Sequence, residues 1–268
     1  MEKFDKGWLS KLWRPTDADN KFGAGQVTIV GGSSLFHGAP ILALKAASRL
    51  ASMVYFATPE ADRAIAQKLK AGLGSFIWVP FDQLTDYVAK SDAVLIGPGM
   101  MRNRVEGEGL VIDDAGRASR QVTLSVVTKN PTQKYVIDGG ALQVLAANEL
   151  PRGAVITPNR KEFAMLFGEE LSEGRETEQL SAAAKKYAIV IAHKAPTSIV
   201  TDGERVVLIE GGNPGLVKGG VGDVAAGLAV GLLAKNEPLL AAAGAIYLTK
   251  RAADRLDGRV GFMYNADD

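Results

Sequence analysis

The sequence predicts an α/β fold, a three-layer α/β/α sandwich with helices on both faces of a mainly parallel sheet. Three observations predict it. Short β-branched runs alternate with helical patterns along most of the 268 residues, as a parallel sheet with crossover helices requires. Glycine-rich turns close several strands, at 31–32, 97–99, 139–140 and 211–212. In open α/β sheets that is the edge where ligands bind. No linker, low-complexity tract or internal repeat interrupts the alternation, so one domain over 1–268 is expected, with residues 1–20 as an N-terminal arm.

The elements follow in order. VTIVGG (27–32) reads as a buried strand, and APILALKAASRLAS (39–52) as a helix with Ile41, Leu42, Leu44 and Ala47 apolar. MVYFATP (53–59) is a strand and EADRAIAQKLKA (60–71) a helix; SFIWVP (75–80) is a strand and FDQLTDYVAK (81–90) a short helix. DAVLIGPG (92–99) is a strand running into a tight turn. Residues 100–133 are polar and only partly helical in pattern. KYVIDGG (134–140) and AVITPN (154–159) are strands, each followed by a helix start, and YAIVIAHK (187–194) is another strand. SIVTDGERVVLIEGG (198–212) reads as a hairpin turned at Asp202-Gly203. Two helices close the chain, 222–235 and 238–256, the second with Pro238 in its first turn.

Composition narrows the function. Hydrophobic residues make up 47% and charged residues 23%, as in soluble globular proteins. A net charge of +1 gives no electrostatic case for a nucleic-acid or membrane partner. There is no cysteine, which removes disulfides and thiolate chemistry and fits a cytoplasmic protein. No apolar run approaches the roughly 18–20 residues of a membrane span, and the N-terminus lacks a signal-peptide core. His37 and His193 lack metal-ligand spacing.

The densest chemical signal is GLVKGGVGDVAAG (215–227), with five glycines in thirteen positions. Gly219, Gly220 and Gly222 can take positive φ and let backbone N–H groups approach a ligand. The helix that follows begins near Gly222 or Asp223, and its unpaired N–H groups and positive dipole end favour an anion. Asp223 has two readings. It is a base beside a phosphoryl group, taking a proton from an attacking hydroxyl, or it and Gly222 compete to be the helix N-cap. The stretch is neither a Walker A loop nor a Rossmann fingerprint. Lys218 either meets a phosphate or is a solvated loop lysine. Asp113 and Asp114 form either a metal-binding pair or part of an exposed loop. Trp8, Trp13 and Phe22 either stack on a base or pack the N-terminal arm onto the domain.

The chain resembles the ADP/ATP-dependent NAD(P)H-hydrate dehydratases of the ribokinase-like superfamily. Six segments match in order: KFGAGQVTIVGGSSLFHGAP (21–40), VLIGPG (94–99), VIDGGAL (136–142), ITPNRKEF (156–163), HKAPTSIVTDGERVVL (193–208) and GGNPGLVKGGVGDVAAG (211–227). The resemblance implies a ribokinase-like fold and a repair reaction, in which hydrated NADH or NADPH is dehydrated at the expense of ADP or ATP with Mg²⁺. It implies Asp223 as the base and Gly219, Gly220 and Gly222 around the phosphates. Lys194, Ala195, Pro196, Thr197 and Ser198 would hold the adenine nucleotide, and Asn213 would help position phosphates. Ala39, Gly99, Met101 and Asn159 would lie, with Asp223, against the hydrated nicotinamide nucleotide. A homo-oligomer is expected, without the epimerase domain that precedes many relatives. The resemblance supplies no metal-ligand set.

Several positions depart from the family pattern. Val221 stands for its threonine, Asn159 for its histidine, Met101 and Ala195 for glycines, Gly140 for the second aspartate of DADAL, Lys161 for the glycine before Glu162, and Phe36 for a tyrosine. Lys218 adds a cation. Two alternatives stand beside the dehydratase: a sugar or vitamin-precursor kinase, and a non-catalytic nucleotide-binding member.

Overall fold

The computed structural model of the chain describes residues 1–102, 104–106, 109–111 and 113–268. Twelve strands and nine α-helices are described: β1 (Glu2–Lys3), β2 (Gln26–Val30), α1 (Gly38–Ala47), β3 (Met53–Ala57), α2 (Arg63–Leu69), β4 (Ile77–Val79), α3 (Leu84–Lys90), β5 (Ala93–Ile96), β6 (Arg104–Glu106), β7 (Gly109–Val111), α4 (Asp114–Lys129), β8 (Lys134–Ile137), α5 (Gly139–Val144), β9 (Val155–Ile156), α6 (Arg160–Phe167), α7 (Glu176–Tyr187), β10 (Val190–His193), β11 (Ser198–Thr201), β12 (Val206–Ile209), α8 (Val221–Leu233) and α9 (Pro238–Val260).

Ten strands form one sheet in the order β1-β12-β11-β10-β9-β8-β5-β2-β3-β4. Every pairing is parallel except those of β11 with β10 and β12. The hairpin at Asp202-Gly203 therefore supplies the one reversed strand of this sheet. The strands are apolar on both faces because both are covered. In β5, Ala93 and Leu95 join a core with α1, α8 and α9, while Val94 and Ile96 face α3, α4, α5, α6 and α7. This is the ribokinase-like three-layer sandwich. Among the described residues no helix is long and apolar enough to cross a membrane.

Three local expectations change. Residues 60–71 open with a 3₁₀ turn, Glu60–Asp62, before α2. The polar 100–133 region carries the short β6–β7 pair and the sixteen-residue α4. Asn103, Gly107, Glu108 and Ile112 of that region lie outside the described residues. Asp113 caps α4, accepting from the Gly116 N–H at 2.8 Å, and Asp114 pairs with Arg117. Asp113 thus stands at the N-cap and Asp114 in the first turn of α4, and among the described residues neither belongs to a group of three or more His, Cys, Asp or Glu that could hold a metal. The N-terminal arm lies on the domain: β1 pairs with β12, Phe4 stacks between Trp8 and Tyr247 of α9, and the Trp13 N–H donates to Asn236 Oδ1 at 2.8 Å.

Glycine sets the turns that hold the site. Gly97, just past β5, has φ +123°, and a Cβ there would stand 1.7 Å from the Asp138 carbonyl oxygen. Gly97→Ala therefore combines a strained φ with overpacking against backbone. It is expected to cost about 2–4 kcal/mol, read as a lower midpoint in denaturant unfolding; an unchanged midpoint contradicts this close approach.

Candidate active site

Three neighbouring strands deliver three polar residues to one end of the sheet. Asp138 follows β8, Thr157 follows β9 and Lys194 follows β10. The Thr157 hydroxyl donates to Asp138 Oδ1, and Lys194 Nζ lies 2.9 Å from the same oxygen. Glu162 comes from the first turn of α6, where it and Asn159 form a reciprocal capping box. Asn159 Oδ1 accepts from the Glu162 N–H, and Glu162 Oε2 accepts from the Asn159 N–H, both at 2.9 Å. That same Oε2 lies 3.9 Å from Lys194 Nζ.

The fourth polar group arrives on α8. Gly220 is its N-cap, with φ +92°, and Asp223 is the third helical residue. Asp223 is thus not the cap, and neither is Gly222. Of Gly219, Gly220 and Gly222, only Gly220 needs positive φ. The glycine at 222 serves space instead, since a Cβ there would approach Lys194 Nζ to 3.3 Å. Around Gly219 a Cβ would meet nothing within 4 Å.

The charges of this cluster act on one another. Burial, then the nearby Asp138 carboxylate, push the Asp223 carboxyl up to about 7, although Lys194 pulls it down. Burial also raises Glu162, against the pull of Lys194. Burial works against the charge on Lys194, but Asp138 and Glu162 outweigh it and hold the ammonium above its ordinary value. The cluster is one cation among three carboxylates, with Asp223 the carboxylate whose proton is exchangeable near neutral pH.

A cavity of about 900 Å³ opens above the cluster. Asp138, Asn159, Glu162, Lys194, Ala195, Pro196, Ser198, Asn213, Gly219, Gly220, Gly222 and Asp223 all line it. Thr197 does not; it lines a neighbouring cavity of about 510 Å³. Ala39, Gly99 and Met101 line neither cavity. Gly99 and Met101 belong to the loop after β5, and Ala39 to the first turn of α1, after β2, along the same sheet end. Gly99, at φ +70°, lies under the Phe36 carbonyl and Pro40. Gly227 brings α8 against α1 so closely that a Cβ would stand 2.2 Å from the Ala43 carbonyl oxygen. Asp223 and Ala39 each lie four residues earlier on these touching helices. Two departures from the family pattern also meet here: a Cβ at Gly140 would stand 2.2 Å from the Met100 carbonyl oxygen, beside Met101.

The histidines stay outside the chemistry. His193 is buried, donates Nδ1–H to the Pro158 carbonyl at 3.1 Å, and is held below its usual pKa by burial. His37 Nδ1 pairs with the buried Asp62 at 3.2 Å. Among the described residues no group of three or more His, Cys, Asp or Glu side chains is arranged to hold a metal on its own.

Several contributors are not singled out by sequence. Asp138 and Glu162 sit inside matched segments but gain meaning only beside Lys194. Lys250 is buried in α9, and its Nζ donates to the carbonyls of Ala195, Pro196 and Ile209, fixing the loop that lines the cavity. Lys218 lines the cavity, and its Nζ donates to the Phe262 and Tyr264 carbonyls.

A family model described as NAD(P)H-hydrate dehydratase matches residues 27–268. The chain is 34% identical over 252 residues to the ADP-dependent (S)-NAD(P)H-hydrate dehydratase of Cenarchaeum symbiosum, covering 91% of this chain and 85% of that protein. It is 35% identical over 254 residues to the bifunctional NAD(P)H-hydrate repair enzyme of Hyperthermus butylicus, covering 85% of this chain but 44% of that longer protein. In fold it is similar to the ADP/ATP-dependent NAD(P)H-hydrate dehydratase of Bacillus subtilis crystallised with ATP and Mg²⁺. The TM-score is 0.80 at 22% identity, covering 98% of this chain and 92% of that one.

Proposed function

The chain belongs to the NAD(P)H-hydrate dehydratase family, and on that premise we propose that it uses ADP or ATP to dehydrate hydrated NADH and NADPH back to NADH and NADPH. The observation that carries the chemistry is Asp223. It is a half-buried carboxyl pushed up to about 7, one helical turn from a glycine turn that lines the cavity.

In the proposed sequence the nucleotide phosphates sit over Gly219, Gly220 and Gly222 at the α8 N-terminus, where the helix dipole favours anions. Asn213 supports the phosphates, and the adenine nucleotide runs along Lys194, Ala195, Pro196 and Ser198, with Thr197 on the outer side of that loop. Asn159, Ala39, Gly99 and Met101 border the hydrated nicotinamide. Asp223 takes the hydroxyl proton as that oxygen attacks the terminal phosphorus, and the bond from phosphorus to the departing nucleotide breaks. Phosphate then leaves the ring carbon, a proton leaves the neighbouring carbon, and the double bond returns. Lys194 sits where it can neutralise charge on the phosphoryl group in transit.

Mg²⁺ usually joins one or two carboxylates to substrate phosphates, and the donor set here suits that use: Glu162 and Asp223 both line the cavity beside the glycine turn. A bound Mg²⁺ would neutralise phosphate charge there, with Glu162 its protein carboxylate. A single domain, self-association and a cytoplasmic setting belong to the same proposal. The cysteine-free composition agrees with the last, and light scattering on purified protein tests the second.

The acidity of Asp223 gives a pH signature. The base works deprotonated, so kcat/KM is expected to climb as pH rises and to level off above about 7. Stability runs the other way. The folded pKa lies above the unfolded value, so ionising Asp223 costs stability that grows as pH rises from about 4 to about 7. A rate that levels off below pH 5 contradicts the assignment.

A further inference from the structure

The glycine-rich turn is gripped from outside by the end of the chain. After α9 stops at Gly261, at φ +60°, the last residues turn back over 213–220. Lys218 Nζ donates to the Phe262 and Tyr264 carbonyls and lies 5.0 Å from the Tyr264 ring centre. Tyr264 is buried, with its hydroxyl against Gly215, where a Cβ would stand only 2.4 Å away. Gly220, the positive-φ cap of α8, lies against Ala266, and Asp267 pairs with Lys45 of α1.

One contact in this grip has a chemical consequence. Asn213 Oδ1 accepts both the Gly215 N–H at 3.0 Å and the Tyr264 hydroxyl at 2.6 Å. An amide bonded to an N–H at that atom must present its oxygen there. Its Nδ2 therefore points the other way, and it is a buried donor with no protein partner. A buried unpaired donor is costly unless a ligand satisfies it, and Asn213 lines the cavity.

We propose that Tyr264 and Lys218 are positioning residues for the nucleotide: they clamp the C-terminal segment on the 213–220 turn, so that Asn213 Nδ2 and the turn's N–H groups are set to meet its phosphates. The ligand class is an adenosine di- or triphosphate. This rests on the nucleotide-dependent reading above.

The experiment uses the full chain with Tyr264→Phe, Lys218→Met and Lys218→Arg. Amide hydrogen exchange is measured across 213–222 without nucleotide, together with the ADP dissociation constant by calorimetry. The KM values for ADP and for hydrated NADH complete the set. Tyr264→Phe and Lys218→Met are expected to speed exchange in that turn and to weaken ADP about tenfold. The KM for the hydrate should change less than about twofold, and Lys218→Arg should recover most of the loss. Unchanged exchange overturns the proposal, as does faster exchange with unchanged ADP affinity, or an equal rise in both KM values. A wild type that binds ADP but dehydrates nothing would sink the functional reading, while the exchange and calorimetry still decide this one. A wild type that binds no ADP overturns both.

Discussion

Asp223→Asn lowers kcat for dehydration of hydrated NADH by about 10³-fold, within the range that positioned acid–base groups supply. The substitution keeps the shape of the side chain and removes its negative charge and its ability to take a proton. Its surroundings explain why the fold should survive. Lys194 keeps Asp138 at 2.9 Å and Glu162 at 3.9 Å, so no buried cation is stranded. The lost carboxylate was held up to about 7 by burial and by Asp138, so neutralising it relieves repulsion instead of breaking a favourable pair. The variant should therefore match or exceed wild-type stability above pH 7, and bind ADP at least as tightly because one negative charge leaves the phosphate site. Circular dichroism, calorimetry and steady-state rates separate these effects. Wild-type kcat in a folded variant contradicts the role of Asp223.

Lys194→Met has the second large effect, through the opposite change. Asp138, whose side chain is 4% exposed, loses its only ion-pair partner among the described residues. Removing one member of a buried pair costs about 3–5 kcal/mol. Asp223 also loses the one charge that pulls its pKa down, so the residual rate should need a pH above the wild-type value of about 7. Adding Asp138→Asn to Lys194→Met should restore part of the stability, because the stranded charge is then gone. The restoration appears in urea unfolding midpoints. A Lys194→Met chain as stable as wild type, with an unmoved pH profile, contradicts the charge cluster.

The layers of the sandwich were legible because their cause is local. Apolar strands such as AVLI of β5 and the glycine turns after them carry their own signals, and the Asp202-Gly203 hairpin marks the reversed strand. The glycine-rich helix start was legible too, but not its register. In GGVG any of three glycines could supply the positive φ, and only packing against Leu42 and Ala266 selects Gly220.

What escaped the sequence depends on the order of strands. Lys194 and Asp138 lie 56 residues apart and meet because β9 alone separates β8 from β10. Lys250 falls on the buried face of α9, four residues after Ile246 and three before Ala253, and three carbonyls hold its charge there. Lys218 read as either a cation for phosphate or a solvated loop lysine, and its partners are carbonyls of a C-terminal segment that no local pattern ties to the turn. The sequence-predicted substrate residues Ala39, in the first turn of α1, and Gly99 and Met101, in the loop after β5, do not line the cavity.

The central claim is that this chain couples nucleotide cleavage to dehydration of a hydrated nicotinamide. Its most direct test mixes the purified protein with ADP or ATP, Mg²⁺ and hydrated NADH, and follows NADH absorbance and free phosphate together. The account predicts one NADH restored for each phosphate released, with no phosphate release when the hydrate is omitted. Nucleotide turnover on a small hydroxylated substrate, with no NADH recovered from the hydrate by either nucleotide, would contradict it.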